Sequence, residues 1–186
     1  MEGGTLPAGA LRGGRRGARH DGAGLIVAVI SDTHLPRGTR RLPPECLRRL
    51  DDADLILHGG DFTARVVLDE LGELGRVEGV HGNMDDADLR SILPRRRVVE
   101  LGDGLLLGMV HDGGPRAGRE ARLVASFPGC SAVVYGHSHL PQVDRHEGAW
   151  ILNPGSPTER RHAPHRTMIE LRVEGKALQP GLIRLP

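Results

Sequence analysis

Leu25-Ile26-Val27-Ala28-Val29-Ile30-Ser31-Asp32-Thr33-His34 is the stretch that decides how this chain folds. Residues 25–31 are apolar at almost every position and rich in β-branched side chains. That is the pattern of a strand covered on both faces, not of one that alternates between core and water. The run breaks off at a carboxylate and an imidazole two residues apart. Outward from it, the same sequence of events recurs. Gly60-Asp61 follows the run at 53–58, Gly82-Asn83 the run at 76–81, His111 the run at 105–110, and Gly136-His137-Ser138-His139 the run at 132–135.

The intervening segments read as helices. Residues 44–50 carry Pro44 near their start, where a helix tolerates it. Thr63 is placed to N-cap a helix reaching about Leu74, with Val66, Val67 and Leu71 on one face. Residues 86–93 form a short helix stopped by Pro94. This βαβαβ alternation predicts right-handed crossovers and a mainly parallel sheet. The second half changes character. Residues 97–101 and 105–110 flank Gly102-Asp103-Gly104 as a hairpin, 119–127 is helical, and 142–146, 149–152, 167–173 and 177–184 are strands, the last two joined at Glu174-Gly175. The expected fold is a four-layer α/β/β/α sandwich of two packed mixed sheets flanked by helices. Ligands of α/β sheets bind at the carboxyl ends of strands, so the polar clusters should converge on one edge.

Composition narrows the function. The chain has 186 residues, 38% hydrophobic and 26% charged with net charge +1, which suits one globular domain and leaves no electrostatic footprint for nucleic acid or a membrane surface. Aromatic residues are 2%, too few for a base-stacking platform. The longest apolar stretch is far too short to span a bilayer. Cys46 and Cys130 match no disulfide or metal spacing and suit a reduced, cytoplasmic setting. Residues 1–24, Gly- and Arg-rich without an apolar signal core, are expected to be a disordered tail before a domain at 25–186. Asparagine occurs only twice, as Asn83 and Asn153, both in glycine-flanked loops. Asn83 reads as a metal ligand. Asn153 suits either a turn or the site.

The clusters supply two carboxylates, one carboxamide and four imidazoles, a donor set for two transition-metal ions. A structural zinc site would need only four closed ligands, usually including cysteine. Asp32-x-His34, Gly60-Asp61, Gly82-Asn83-Met84-Asp85, His111 and Gly136-His137-x-His139 together resemble the calcineurin-like metallophosphoesterases. Asn153-Pro154-Gly155-Ser156 is similar to a segment of that family's small, cap-less bacterial phosphodiesterase branch. The resemblance implies one divalent ion on Asp32, His34, Asp61 and His139 and another on Asp61, Asn83, His111 and His137, with Asp61 bridging and Asn83 also catalytic. Mn²⁺ is favoured, with Fe, Zn or Ni as alternatives. A hydroxide between the ions would attack a small phosphate-ester substrate, a diester in preference to a monoester.

The chain also departs from the family. Met84 stands where many relatives carry a histidine able to protonate the leaving group, and His111-Asp112-Gly113 replaces His-Gly-His. Arg37 is the substrate-binding candidate, with Arg161 in a comparable loop, since an arginine fork suits a phosphate. His58 and His81 either support the site from behind or are plain strand-end histidines. Asp85 either orients a ligand or caps a helix. The rivals are a non-catalytic scaffold, like the retromer subunit of similar fold, which would have lost ligands, and a metal-sensing protein without turnover. The oligomeric state stays open, a homo-oligomer included.

Overall fold

The computed structural model describes residues 24–186. Their order is β1 (Leu25–Ile30), α1 (Pro44–Asp52), β2 (Leu55–His58), α2 (Arg65–Leu74), β3 (Val77–Gly79), α3 (Ala87–Ile92), β4 (Arg96–Glu100), β5 (Leu106–Val110), α4 (Arg119–Ser126), β6 (Ala132–Val134), β7 (Gln142–His146), β8 (Ala149–Asn153), β9 (Arg166–Glu174) and β10 (Ala177–Leu185). Ten strands form two five-stranded sheets, ordered β10-β9-β1-β2-β3 and β4-β5-β6-β8-β7. β1, β2 and β3 are parallel, whereas β9 and β10 are added antiparallel. In the second sheet β5, β6 and β8 are parallel and β4 and β7 antiparallel. Both sheets are therefore mixed.

The layering explains why the opening strand is apolar throughout. Val27 and Val29 project into the space between the sheets, among Leu107, Met109, Ala132 and Val134. Ala28 and Ile30 project the other way, onto Cys46, Leu50, Leu68, Leu71 and Leu89 of the helices. On the far side of the second sheet, Val133 and Ile151 pack on Leu123 and Phe127. Four layers result, α/β/β/α, as expected. Burying both faces of β1 removes the polar alternation that a solvated sheet would show.

Two local expectations are corrected. Thr63 does not cap α2: the N-cap position is Ala64, without a side-chain bond, and Thr63 adopts φ +95. Asp86 takes over that task, accepting from the amides of Arg65 at 3.3 Å and of Leu89 at 2.8 Å, the latter as N-cap of α3. β3 is also shorter than the apolar run 76–81. Beyond Gly79 the chain turns away, and the His81 amide bonds the Pro94 carbonyl at 3.1 Å. The tail expected over residues 1–24 lies, apart from Gly24, outside the described residues.

Candidate metal centre

The loops after β1, β2 and β6 hold the expected ligands in unusual backbone geometry. Asp32, His34, Asp61, His137 and His139 have φ of +55, +46, +59, +66 and +58. A non-glycine residue in this region is strained by about 1–3 kcal/mol and persists only where its surroundings over-determine it. Here they do. The Asp32 amide bonds Gly60 O at 2.9 Å, the His34 amide bonds Asp61 O at 3.0 Å, and the Gly136 amide bonds His111 O at 2.9 Å. Glycine precedes the ligands for steric reasons. A Cβ on Gly82 would sit 2.0 Å from Asp61 Oδ1, and one on Gly136 would sit 2.1 Å from Ser31 Oγ.

All seven expected ligands converge. His139 Nε2 lies 3.2 Å from both Asp32 Oδ1 and His34 Nε2, forming one triad of donors. Asp61 Oδ2 lies 3.7 Å from His34 Nε2 and 3.3 Å from His111 Nε2, between the two halves of the cluster. Asn83 Oδ1 faces His111 Nε2 at 3.2 Å and His137 Nδ1 at 3.0 Å. The donor orientation fits cations. Ser31 Oγ and the His137 amide occupy Asp32 Oδ2 at 2.7 and 3.0 Å, while Asp32 Oδ1 is buried without a hydrogen bond. His111 Nδ1 donates to Gly59 O at 2.8 Å, which turns Nε2 into the cluster. Asp32, His34 and His139 are buried, whereas Asn83 and His137 are exposed, so the cluster opens to solvent on one side.

Charge is strongly coupled here. Burial alone would raise the Asp32 carboxyl, but neighbouring His139 and His111 hold it below the usual range. Burial also works against ionised Asp61, yet its bond to His111 and the Met84 amide bring it down to about 2. Burial pushes His34 down, partly offset by Asp61 and Asp32. Burial would likewise lower His111, but Asp61 and Asp32 raise it to about 9. A proton on His111 thus occupies the place a cation would take.

The supporting residues were barely visible beforehand. Asp85 is buried and its carboxylate accepts from three backbone amides: Asp61 at 3.1 Å, Thr63 at 2.7 Å and Gly82 at 2.7 Å. It ties the loop of Asp61 to that of Gly82 and caps no helix. Asn153 Nδ2 donates to Gly136 O at 2.9 Å and Ser138 Oγ at 3.1 Å, while its Oδ1 accepts from the Gly155 amide at 2.9 Å. Ser156 Oγ and Thr158 Oγ1 donate to the carbonyls of Asp32 and Thr33, each at 2.7 Å. His58 accepts from the Gly60 amide at Nδ1 and faces Thr33 Oγ1 with Nε2 at 3.1 Å, its ring against Phe62. Complete burial pushes it down to about 3, so it stays neutral. His81 is half-buried with Nδ1 toward Gly82 O, outside the cluster. Arg37 is exposed on the loop after His34 and bonds none of the seven ligands among the described residues. Arg161 stands nearer: its charge is felt by His34, and it lies 3.9 Å from Glu159.

Residues 25–176 match the calcineurin-like phosphoesterase superfamily domain. The chain belongs to that superfamily. A probable metallophosphoesterase of Methanocaldococcus jannaschii is 37% identical over 158 residues, covering 83% of this chain and 79% of that protein. Two solved structures share the fold. Entamoeba histolytica Vps29 in complex with zinc has a TM-score of 0.69 at 22% identity, covering 86% of this chain and 99% of that one. An archaeal phosphodiesterase has a TM-score of 0.63 at 21% identity, covering 86% and 100%. Divalent metal is expected for a superfamily member of this kind, and Asp32, His34 and His139, with Asp61 and His111 alongside, offer the ligand atoms for it.

Proposed function

We propose that this chain is a dinuclear metal-dependent phosphoesterase that hydrolyses phosphate diesters in preference to monoesters. One observation carries the reading: Asp61 Oδ2 stands within 3.7 Å of His34 Nε2 and 3.3 Å of His111 Nε2, a single carboxylate oxygen between two imidazole groups. Asp32, His34, Asp61 and His139 would hold one ion, and Asp61, Asn83, His111 and His137 the other. Two divalent cations there would neutralise phosphoryl charge and make a hydroxide nucleophile available at neutral pH. Manganese is the favoured metal, because the imidazole and oxygen donors suit a transition ion.

The chain's own residues do the rest. With its Oδ1 toward His111 and His137, Asn83 keeps Nδ2 as a donor for a phosphoryl oxygen. Met84 is 53% exposed beside it and offers no proton. His58 is sealed in the interior and cannot reach a leaving group. The leaving group therefore departs with a proton from solvent or as a stabilised anion, which favours esters of acidic alcohols. The exposed side at Asn83 and His137 leaves room for the second arm of a diester, and likeness to a protein described as a phosphodiesterase supports that preference. We place the chain in the small cap-less branch, widened by its archaeal relative beyond bacteria. Unpaired Cys46 and Cys130 support a cytoplasmic setting. No helix among the described residues is long and apolar enough to cross a membrane. Retention of the whole ligand set argues against a scaffold without catalysis. The test is hydrolysis of bis(p-nitrophenyl) phosphate after chelation and metal return: activity must vanish and reappear with Mn²⁺. Undiminished turnover by the demetallated protein refutes the reading.

A further inference from the structure

The loop between His34 and α1 borders a cavity of about 780 Å³, lined on its polar side by Arg37, Arg40, Arg41 and Arg166. Among the described residues no acidic side chain lines it. Arg40 pairs with the Glu159 side chain at 3.2 Å. Among the described residues Arg41 bonds the backbone carbonyls of Gly38 and Arg40, and Arg166 bonds a main-chain oxygen of the last residue, Pro186, at 3.0 Å. Arg37 makes no hydrogen bond or ion pair among the described residues. In a chain of net charge +1, this concentration of guanidinium groups around one concavity is a local excess, not a share of the average.

Hydrogen bonds tie the cavity wall to the candidate metal centre. Thr158 lines its wall and donates to the carbonyl of Thr33, the residue between ligands Asp32 and His34. Next to it, the Glu159 carbonyl lies 3.5 Å from His139 Nδ1, while the Glu159 carboxylate engages Arg40. The arginine wall therefore begins one residue away from the ligands of the first ion. Guanidinium forks match phosphate oxygens in geometry and charge.

We infer that the cavity is a second phosphate subsite, so that the substrate carries, besides the ester to be cleaved, another phosphate group held by Arg37 and Arg41. This deepens the phosphoesterase reading and rests on it. With metal bound, the esterified phosphate would face Asp32, His34, Asp61 and His139 while the second phosphate would enter the cavity, and the arginines would act in binding, not in bond cleavage. The substrate class is a phosphodiester with an additional terminal phosphate, as in a nucleoside bisphosphate ester.

The test uses a matched pair: thymidine 5′-(p-nitrophenyl phosphate) and the same molecule bearing a 3′-phosphate. With the Mn²⁺-loaded full chain, KM should be about tenfold lower for the bisphosphate, the gain of one good charge-assisted contact. In Arg37→Ala/Arg41→Ala that ratio should collapse towards unity, with kcat for the two substrates changed alike. Inorganic phosphate added to the monophosphate assay separates a covalently attached group from a free one, since free phosphate should not reproduce the gain. Equal KM values in the wild type, or a ratio that survives the double substitution, overturn the subsite while leaving the phosphoesterase reading intact. Absence of turnover on either ester counts against the phosphoesterase reading instead. The subsite is then still decided by titrating inorganic pyrophosphate into the ¹⁵N-labelled full chain supplied with zinc. Saturable shifts of the Arg37 and Arg41 Nε–Hε resonances support it, and unmoved resonances overturn it.

Discussion

Replacing Asp85 with asparagine tests whether one buried carboxylate organises the centre. Its Oδ2 accepts from the amides of Asp61 and Gly82, and its Oδ1 accepts from Thr63. In Asp85→Asn the amide oxygen can serve the Oδ2 pair, which turns the new NH₂ against the Thr63 amide. The part-buried Thr63 N–H then loses its acceptor, at about 1–3 kcal/mol, and two bonds lose charge assistance, at about 1 kcal/mol each. The sum is about 3–5 kcal/mol. For a domain of this size 1 kcal/mol moves Tm by about 2–4 °C, so calorimetry should record a drop of roughly 10 °C. Hydrolysis of bis(p-nitrophenyl) phosphate should fall with it, because Asp61 loses its amide anchor. Asp86→Ala is the control. It removes only helix-cap bonds, costs about 1 kcal/mol, and should spare metal affinity. A Tm for Asp85→Asn within about 2 °C of wild type, with full activity, would refute the assignment.

Metal binding should be coupled to proton release. His111 is raised from 6.5 to about 9 in the folded, metal-free chain, so its charge supports that state fully below about pH 6.5, and the contribution is lost as pH climbs through about 9. A cation must displace this proton. Apparent affinity should therefore rise about tenfold per pH unit between about pH 7 and 9, and calorimetry in buffers of different ionisation enthalpy should show proton release; pH-independent affinity would contradict it. Asn153→Ala removes three bonds that hold the loop of His137 and His139, and should weaken metal affinity more than it lowers Tm; an unchanged metal dissociation constant would deny that role. With Met84 in place of an acid, rates on alkyl diesters should trail aryl diesters steeply. Met84→His should narrow that gap severalfold, below the roughly 10²–10⁴-fold of a well-placed general acid, whereas wild-type rates indifferent to the leaving group would reveal another proton donor.

Much of this architecture was legible because β1 is buried on both faces and each polar cluster marks a strand end. Val27 and Val29 against one layer, with Ala28 and Ile30 against the other, leave a plain apolar run that composition alone exposes. The supporting contacts were not legible, since they join residues far apart in the chain. Thr158 reaches Thr33 across 125 positions, and Asp85 reaches Asp61 across 24. The misplaced cap has the same origin. Thr63 has the right side chain before α2, but Asp85 and Asp86 from the next loop hold the backbone in another conformation. Arg37 stands out in the sequence by residue type alone, and its arginine-lined cavity forms from its own loop together with Arg166 and Pro186 of the C-terminal segment. Scarcity of asparagine is itself a signal. Both asparagines of the chain stand at the cluster, Asn83 facing His111 and His137 and Asn153 bonded to the Gly136 loop.

Anomalous diffraction from crystals of the Mn²⁺-loaded protein tests the central claim most directly. The account predicts two peaks about 3.5–4 Å apart, one among Asp32, His34 and His139, the other among Asn83, His111 and His137, with Asp61 touching both. A single peak, or two peaks that Asp61 does not join, would contradict it.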